Sequence, residues 1–187
     1  SFVRDLLAAV AMVFVMPVLS LLIGTALAAP GVTIPDDNLR AALEQELGKG
    51  EGDPITEAEL AGLTELSASE KSISDLTGIE LCTNLEYLDL DNNNIGNISA
   101  LVSLSNLSEL SLWDNNINDI SDLASLTGLQ YLDLDDNNIS DISALAELNH
   151  LQELYLNGNE LNSAAYAIHI PALEANGTVV QYDEEKP

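Results

Sequence analysis

Two short runs put oxygen-bearing side chains at alternate positions, Asp89-x-Asp91-x-Asn93 and Asp133-x-Asp135-x-Asn137. A calcium-binding EF-hand loop begins this way, but it also needs Gly at its sixth position and a bidentate Glu at its twelfth. Asn94 and Asn138 stand where that Gly belongs, and Ala100 and Ala144 where the Glu belongs. An internal repeat explains this spacing without a metal, so no metal site is expected; loose cation binding by the acidic residues is the lesser alternative. Catalytic chemistry has as little to build on. The two histidines, His150 and His169, fall far along the chain from the single cysteine, Cys82. No phosphate loop, zinc spacing or nucleophile elbow is present, so neither an enzyme nor a cofactor is expected. A second pattern remains, of aromatic and acidic residues recurring in sets of three. The sets are Tyr87, Asp89, Asp91; Glu109, Ser111, Trp113; Tyr131, Asp133, Asp135; and Glu153, Tyr155, Asn157. Six of the twelve are acidic, none is basic, and four of the chain's eight aromatics are among them. Exposed together on a rigid support, Trp and Tyr with carboxylates make a surface for binding another molecule.

The support is an internal repeat. Leu85, Leu107, Leu129 and Leu151 are each 22 residues apart, and the same step back reaches Leu63. From Leu85 the unit reads LEYLDLDNNNIGNISALVSLSN, and from Leu129 it reads LQYLDLDDNNISDISALAELNH. Apolar residues hold positions 1, 4, 6, 11, 14, 17 and 20, which in the Leu85 unit are Leu85, Leu88, Leu90, Ile95, Ile98, Leu101 and Leu104. Alternation at positions 4 to 6 marks a short strand with one buried face. The later spacing of three suits 3₁₀-like turns better than α-helix. Side chains at positions 3, 5 and 7 then point away from the core, which puts the twelve residues on one face. Position 9 is Asn93, Asn115, Asn137 and Asn159. Its amide can satisfy backbone groups where the coil bends after the strand. One unit cannot bury its own Leu and Ile side chains, whereas stacked units share a continuous core.

The LxxLxLxxNxI unit resembles the leucine-rich-repeat family, and the 22-residue period with its IxxIxxLxxL tail resembles the internalin-like bacterial class. The resemblance covers about 63–161. It implies an α/β solenoid with a short parallel sheet on the concave face and 3₁₀-like turns on the convex face. Departures fall in the first and last of the five units: in the Leu63 unit Ala68 replaces a Leu and Lys71 the Asn, and the Leu151 unit begins LQELYLNGNELN and then leaves the pattern.

Solenoid ends need covers. Asp36 or Asp37 can cap a helix over LRAALEQELG that Gly48 stops, and Thr56-Glu57-Ala58-Glu59 is a capping box for a second. These form the helical N-terminal cap expected within 29–62, which the resemblance also implies. Beyond the repeats, 162–187 reads as a C-terminal cap and polar tail. A helix is expected over Ser163 to Ala175 with a kink or break at Pro171, then a turn at Asn176-Gly177 and an edge strand over Thr178 to Tyr182. Ahead of the caps, one Arg, an apolar run over 6–29 and Ala26-Leu27-Ala28 match a secretory signal peptide over 1–28. An uncleaved membrane anchor is the competing reading, and it would be the protein's only membrane contact. Either places the repeats outside the cytoplasm, secreted or in the cell envelope. The lone Cys82 sits where the repeat calls for an aliphatic residue, which suits a buried thiol better than a nucleophile or an intermolecular bridge.

Charge narrows the partners. The chain carries 31 acidic residues against 5 basic, a net charge of -26, with no Lys or Arg from Ser72 to Glu185. Nucleic acid requires cations to displace phosphate counterions and is excluded; an anionic membrane surface is disfavoured for the same reason. Charge of this size also keeps a protein soluble and monomeric. Four glycosylation sequons occur, three of them products of the repeat's own grammar. The expected function is therefore recognition or adhesion, with a protein, basic ones included, bound by the concave face. A neutral glycan or envelope polymer is the alternative, and a purely structural repeat within a longer surface protein is a third.

Overall fold

Each unit of the repeat turns its apolar residues to one side and closes a coil on them. The structure is a computed structural model that describes residues 31–184. The signal peptide or anchor expected over 1–28, and the last three residues of the tail, lie outside that range. Within it, β1 (Glu65–Ser67), β2 (Tyr87–Asp89), β3 (Glu109–Ser111), β4 (Tyr131–Asp133), β5 (Glu153–Tyr155) and β6 (Val179–Gln181) form one sheet in chain order. Every pairing is parallel and in register, so Leu66, Leu88, Leu110, Leu132, Leu154 and Val180 stand in one row. Leu88, Leu90, Leu110, Leu112, Leu132 and Leu134 are fully buried, as the alternation requires. The opposite side of each coil is a 3₁₀ turn, at Ile79–Leu81, Ser99–Ser103, Ser121–Ser125 and Ser143–Glu147. Before these turns, Asp75, Asn97, Asp119 and Asp141 accept the N–H of the residue two positions on, which starts the bend.

The Asn column does what its position demands. Asn115 Oδ1 accepts from the Ile95 N–H at 3.0 Å, while its amide donates to the carbonyls of Leu90, Leu112 and Trp113. Asn93, Asn137 and Asn159 repeat the same bridges in their own coils. All four are buried. Just before them runs a second column that the hydropathy pattern does not reveal. Position 8, Glu70, Asn92, Asp114, Asp136 and Gly158, has positive φ throughout, between 52° and 70°. The coil must reverse there, and left-handed backbone makes the bend.

At the N-terminal end, α1 (Asp37–Glu46) is capped by Asp36 and buries Leu39, Ala42 and Leu43. The other carboxylate oxygen of Asp36 accepts from the Ser74 and Asp75 N–H groups, which ties the cap to the first coil. Burial acts to raise the pKa of Asp36, but these backbone donors together outweigh it and hold the carboxyl below the usual range. Thr56 and Glu59 form the reciprocal capping box of α2 (Glu57–Leu60). At the C-terminal end the expected helix is present with its irregularity displaced. A π-helical turn, Ala165–His169, leads into α3 (Ile170–Ala175), and Pro171 lies in the first turn of α3. Pro lacks the N–H that a continuous helix would use, so the wider turn absorbs the defect ahead of it. Gly177, at φ 97°, reverses the chain into β6. Cys82 is buried in the core, and desolvation, helped by the Glu80 charge, pushes its thiol up to about 12.

Candidate functional site: the concave face

Positions 3, 5 and 7 of successive coils form three rows across the sheet. The structure brings all twelve expected residues onto that one face, and it adds Glu65 and Ser67 from β1 and Val179 and Gln181 from β6. The first pair was legible in principle, because Glu65 and Ser67 keep the register of the Leu63 unit. The β6 pair falls outside the repeat: the edge strand expected over Thr178 to Tyr182 is present as Val179–Gln181, and its register with β5 is what turns Val179 and Gln181 to this face.

The face is less open than a simple alternation suggests. Glu109, Glu153 and Trp113 are exposed, while Tyr87, Asp89, Asp91, Ser111, Tyr131, Asp133, Asp135, Tyr155 and Asn157 are half-buried. Several carboxylates hold the array together. Asp91 accepts from the Ser111 hydroxyl at 2.6 Å and from the Trp113 N–H at 2.9 Å. Asp135 accepts from the backbone and side-chain amides of Asn157. Asp89 and Asp133 each accept the N–H two residues on, Asp91 and Asp135 respectively. At position 7 Asp91 and Asp135 therefore stitch one coil to the next, and the exposed Glu109, Glu153 and Trp113 are freest to meet a ligand.

The aromatics are held as rigidly. The Trp113 indole N–H donates to Asp136 at 2.8 Å, which fixes the ring at the rim of the face. Tyr131 and Tyr155 pack with ring centroids 5.5 Å apart, and the Tyr155 hydroxyl donates to Glu153. Between Tyr87 and Tyr131 lies a depression of about 300 Å³, floored by Ser111 and bordered by Asp89, Asp91 and Glu109. Electrostatics are unfavourable in the middle. Burial, together with the charges of Asp135 and Asp91, pushes the Asp133 carboxyl up to about 6. Burial and the surrounding acids push the Tyr131 hydroxyl up to about 12. Asp91 is likewise raised by burial. Among the described residues, no group of three or more His, Cys, Asp and Glu converges on a metal-binding point. His150 is exposed next to Leu151, and His169 ends the π-helical turn.

Comparison with known proteins agrees with this geometry. A profile described as "Leucine rich repeat" matches residues 105–161, and one described as "Leucine Rich repeats (2 copies)" matches 62–103. The chain belongs to the leucine-rich-repeat family. Among solved structures it is similar to an internalin from Listeria monocytogenes, at 28% identity and a TM-score of 0.66, over 81% of this chain and 52% of that one. It is also similar to a leucine-rich-repeat protein of Leptospira interrogans, at 25% identity and a TM-score of 0.60, over 66% of this chain and 32% of that one. The functional domain of InlJ from Listeria monocytogenes matches at 25% identity and a TM-score of 0.56, over 69% and 38%. That domain includes a cysteine ladder, which this leucine-rich-repeat chain, with one cysteine, does not share. The chain spans about half or less of the length of these structures. No curated protein sequence matches it. No helix among the described residues is long and apolar enough to cross a membrane.

Proposed function

We propose that this leucine-rich-repeat chain is an exported, non-enzymatic recognition module whose concave face binds a protein carrying positive charge. The observation that carries the reading is the rows themselves. Tyr131 and Tyr155 pack ring on ring, Trp113 is hydrogen-bonded to Asp136, Tyr87 stands in the same row as Tyr131, and carboxylates interleave with them on coils that carry no Lys or Arg after Lys71. Aromatic anchors supply contact area at low entropic cost, while unpaired acids steer a basic partner and set its orientation. The likeness to an internalin supports a protein ligand. The apolar segment ahead of the caps supports export to the cell surface or medium, with the module acting as a monomer. A neutral glycan is the second reading, favoured by the Tyr131–Tyr155 ring pair beside Glu153, which could stack a sugar and accept its hydroxyls.

Arrays of extracellular proteins and of glycans, probed with the wild type and with Trp113→Ala and Asp89→Asn, test the assignment. Retention of basic proteins that weakens in high salt and in both variants supports it. Binding indifferent to salt and to both substitutions moves the site to the convex side or the caps. Exclusive glycan retention favours the second reading.

A further inference from the structure

The rows of the concave face alternate with a period of two coils. Position 3 reads Glu65, Tyr87, Glu109, Tyr131, Glu153, and position 5 reads Ser67, Asp89, Ser111, Asp133 before Tyr155 breaks the pattern. Neighbouring parallel strands are about 4.7–4.9 Å apart, so like residues recur about every 9.4–9.8 Å along the solenoid. A ligand that reads the alternation must repeat chemically at that distance. A polyproline-II chain rises about 3.1 Å per residue and returns the same side to a surface every third residue, about 9.3 Å on. An extended strand presents a face about every 6.6–6.8 Å, and an α-helix repeats a heptad position about every 10.5 Å. Over the two periods from Glu65 to Glu153, polyproline II drifts by about 1 Å at most, and the helix by roughly 2 Å.

The side chains suit that conformation. Glu65, Glu109 and Glu153 are exposed and stand in one line. Tyr87 and Tyr131 alternate with them and wall the depression floored by Ser111. Aromatic walls around a narrow notch are how grooves take the pyrrolidine rings of proline-rich segments, whose preformed conformation loses little entropy on binding. We infer that the concave face of this protein takes a basic, proline-rich segment of its partner in polyproline-II conformation. It runs across the strands with a Lys or Arg at every third residue opposite Glu65, Glu109 and Glu153. The intervening prolines lie against Tyr87 and Tyr131. This rests on the reading that the concave face binds a protein of positive charge, and it specifies the ligand's chemistry and direction.

Two peptides of identical composition and about twelve residues test the register. One consists of Lys-Pro-Pro repeats; the other has the same lysines gathered in pairs, Lys-Lys-Pro-Pro-Pro-Pro. Both keep polyproline-II conformation. Calorimetric titration of the protein should show the Lys-Pro-Pro peptide binding about ten-fold more tightly, about 1.4 kcal/mol. Tyr131→Ser and Glu109→Gln should each weaken it several-fold and leave the paired-lysine peptide less affected. Melting curves of both variants check that they fold. Equal affinity for the two peptides, both weakened by Glu109→Gln, would overturn the register inference and leave the basic-partner reading intact. Binding of neither peptide, while basic proteins still bind in a Trp113-dependent way, would also overturn only the inference. Binding of both peptides, indifferent to Tyr131→Ser, Glu109→Gln and Trp113→Ala, would remove the concave face altogether and with it both readings.

Discussion

At the scale of single residues, two buried or half-buried polar groups make opposite contributions. Asn115 satisfies one backbone donor and three carbonyls in two adjacent coils. Asn115→Ala strands those groups inside the core, at about 1–3 kcal/mol for a buried group left unpaired. Thermal denaturation should show the variant melting well below wild type, and an unchanged curve would contradict the bridging role. Asp133 works against stability. Its folded-state carboxyl is raised to about 6 by burial and neighbouring acids, above the ordinary value of 3.8. The folded protein therefore binds that proton more tightly than the unfolded chain, and the stability it confers is present below about pH 4 and lost as pH rises through about 6. Asp133→Asn keeps an acceptor for the Asp135 N–H and removes the charge. It should melt higher than wild type at pH 7, with the difference shrinking to nothing near pH 4. A difference independent of pH would show that Asp133 titrates normally.

At the scale of elements, the coil bend at position 8 sets its own rules. Left-handed backbone costs a side-chain-bearing residue roughly 1–2 kcal/mol, and Gly almost nothing. Gly158 already matches its φ of 70°, and a Cβ there would run into the carboxylate of Asp136. Gly158→Ala should therefore lower stability by at least about 1 kcal/mol, combining strain with overlap. Glu70 is exposed with φ 56° and its side chain caps nothing. Glu70→Gly should raise stability by a few tenths to about 1 kcal/mol, since relief of strain outweighs the extra freedom gained by the unfolded chain. Chemical denaturation of the pair measures both signs at once; a stabilised Gly158→Ala would show that the bend does not need left-handed backbone. The capping box at Thr56 and Glu59 and the Asp36 cap were readable because caps are local, set by residues within one turn. The π-helical turn before Pro171 was not. Pro171 announces a defect, but packing of Ala165 and Ile170 into the core decides where the helix absorbs it.

At the scale of the whole molecule, like-charge repulsion is left largely unbalanced. The net charge is -26, and only two ion pairs form among the described residues, Arg40 with Glu44 and Lys49 with Glu59, both in the N-terminal cap. The carboxylates of the coils mostly repel one another, and salt screens that repulsion over about 8–10 Å. Added NaCl should raise the melting temperature while slowing association with a basic partner. A melting temperature that falls with NaCl would mean that attractive pairs outweigh the repulsion. Periodicity alone dictates the solenoid, its register and the twelve concave-face residues from Tyr87 to Asn157. That information is periodic: a 22-residue step with apolar positions in phase leaves one way to bury every Leu and Ile together. Which of those face residues are free is set by packing between coils. Asp91 and Asp135 look equivalent to Asp89 and Asp133 in the repeat, yet they are occupied by the next coil's Ser111, Trp113 and Asn157. The tertiary structure likewise decided that Asp136 anchors Trp113, that position 8 is left-handed, and in which register β6 pairs with β5. The Trp113 anchor and the β6 register depend on what lies one coil away in space, through contacts 23 and 26 residues apart in sequence that no local pattern encodes.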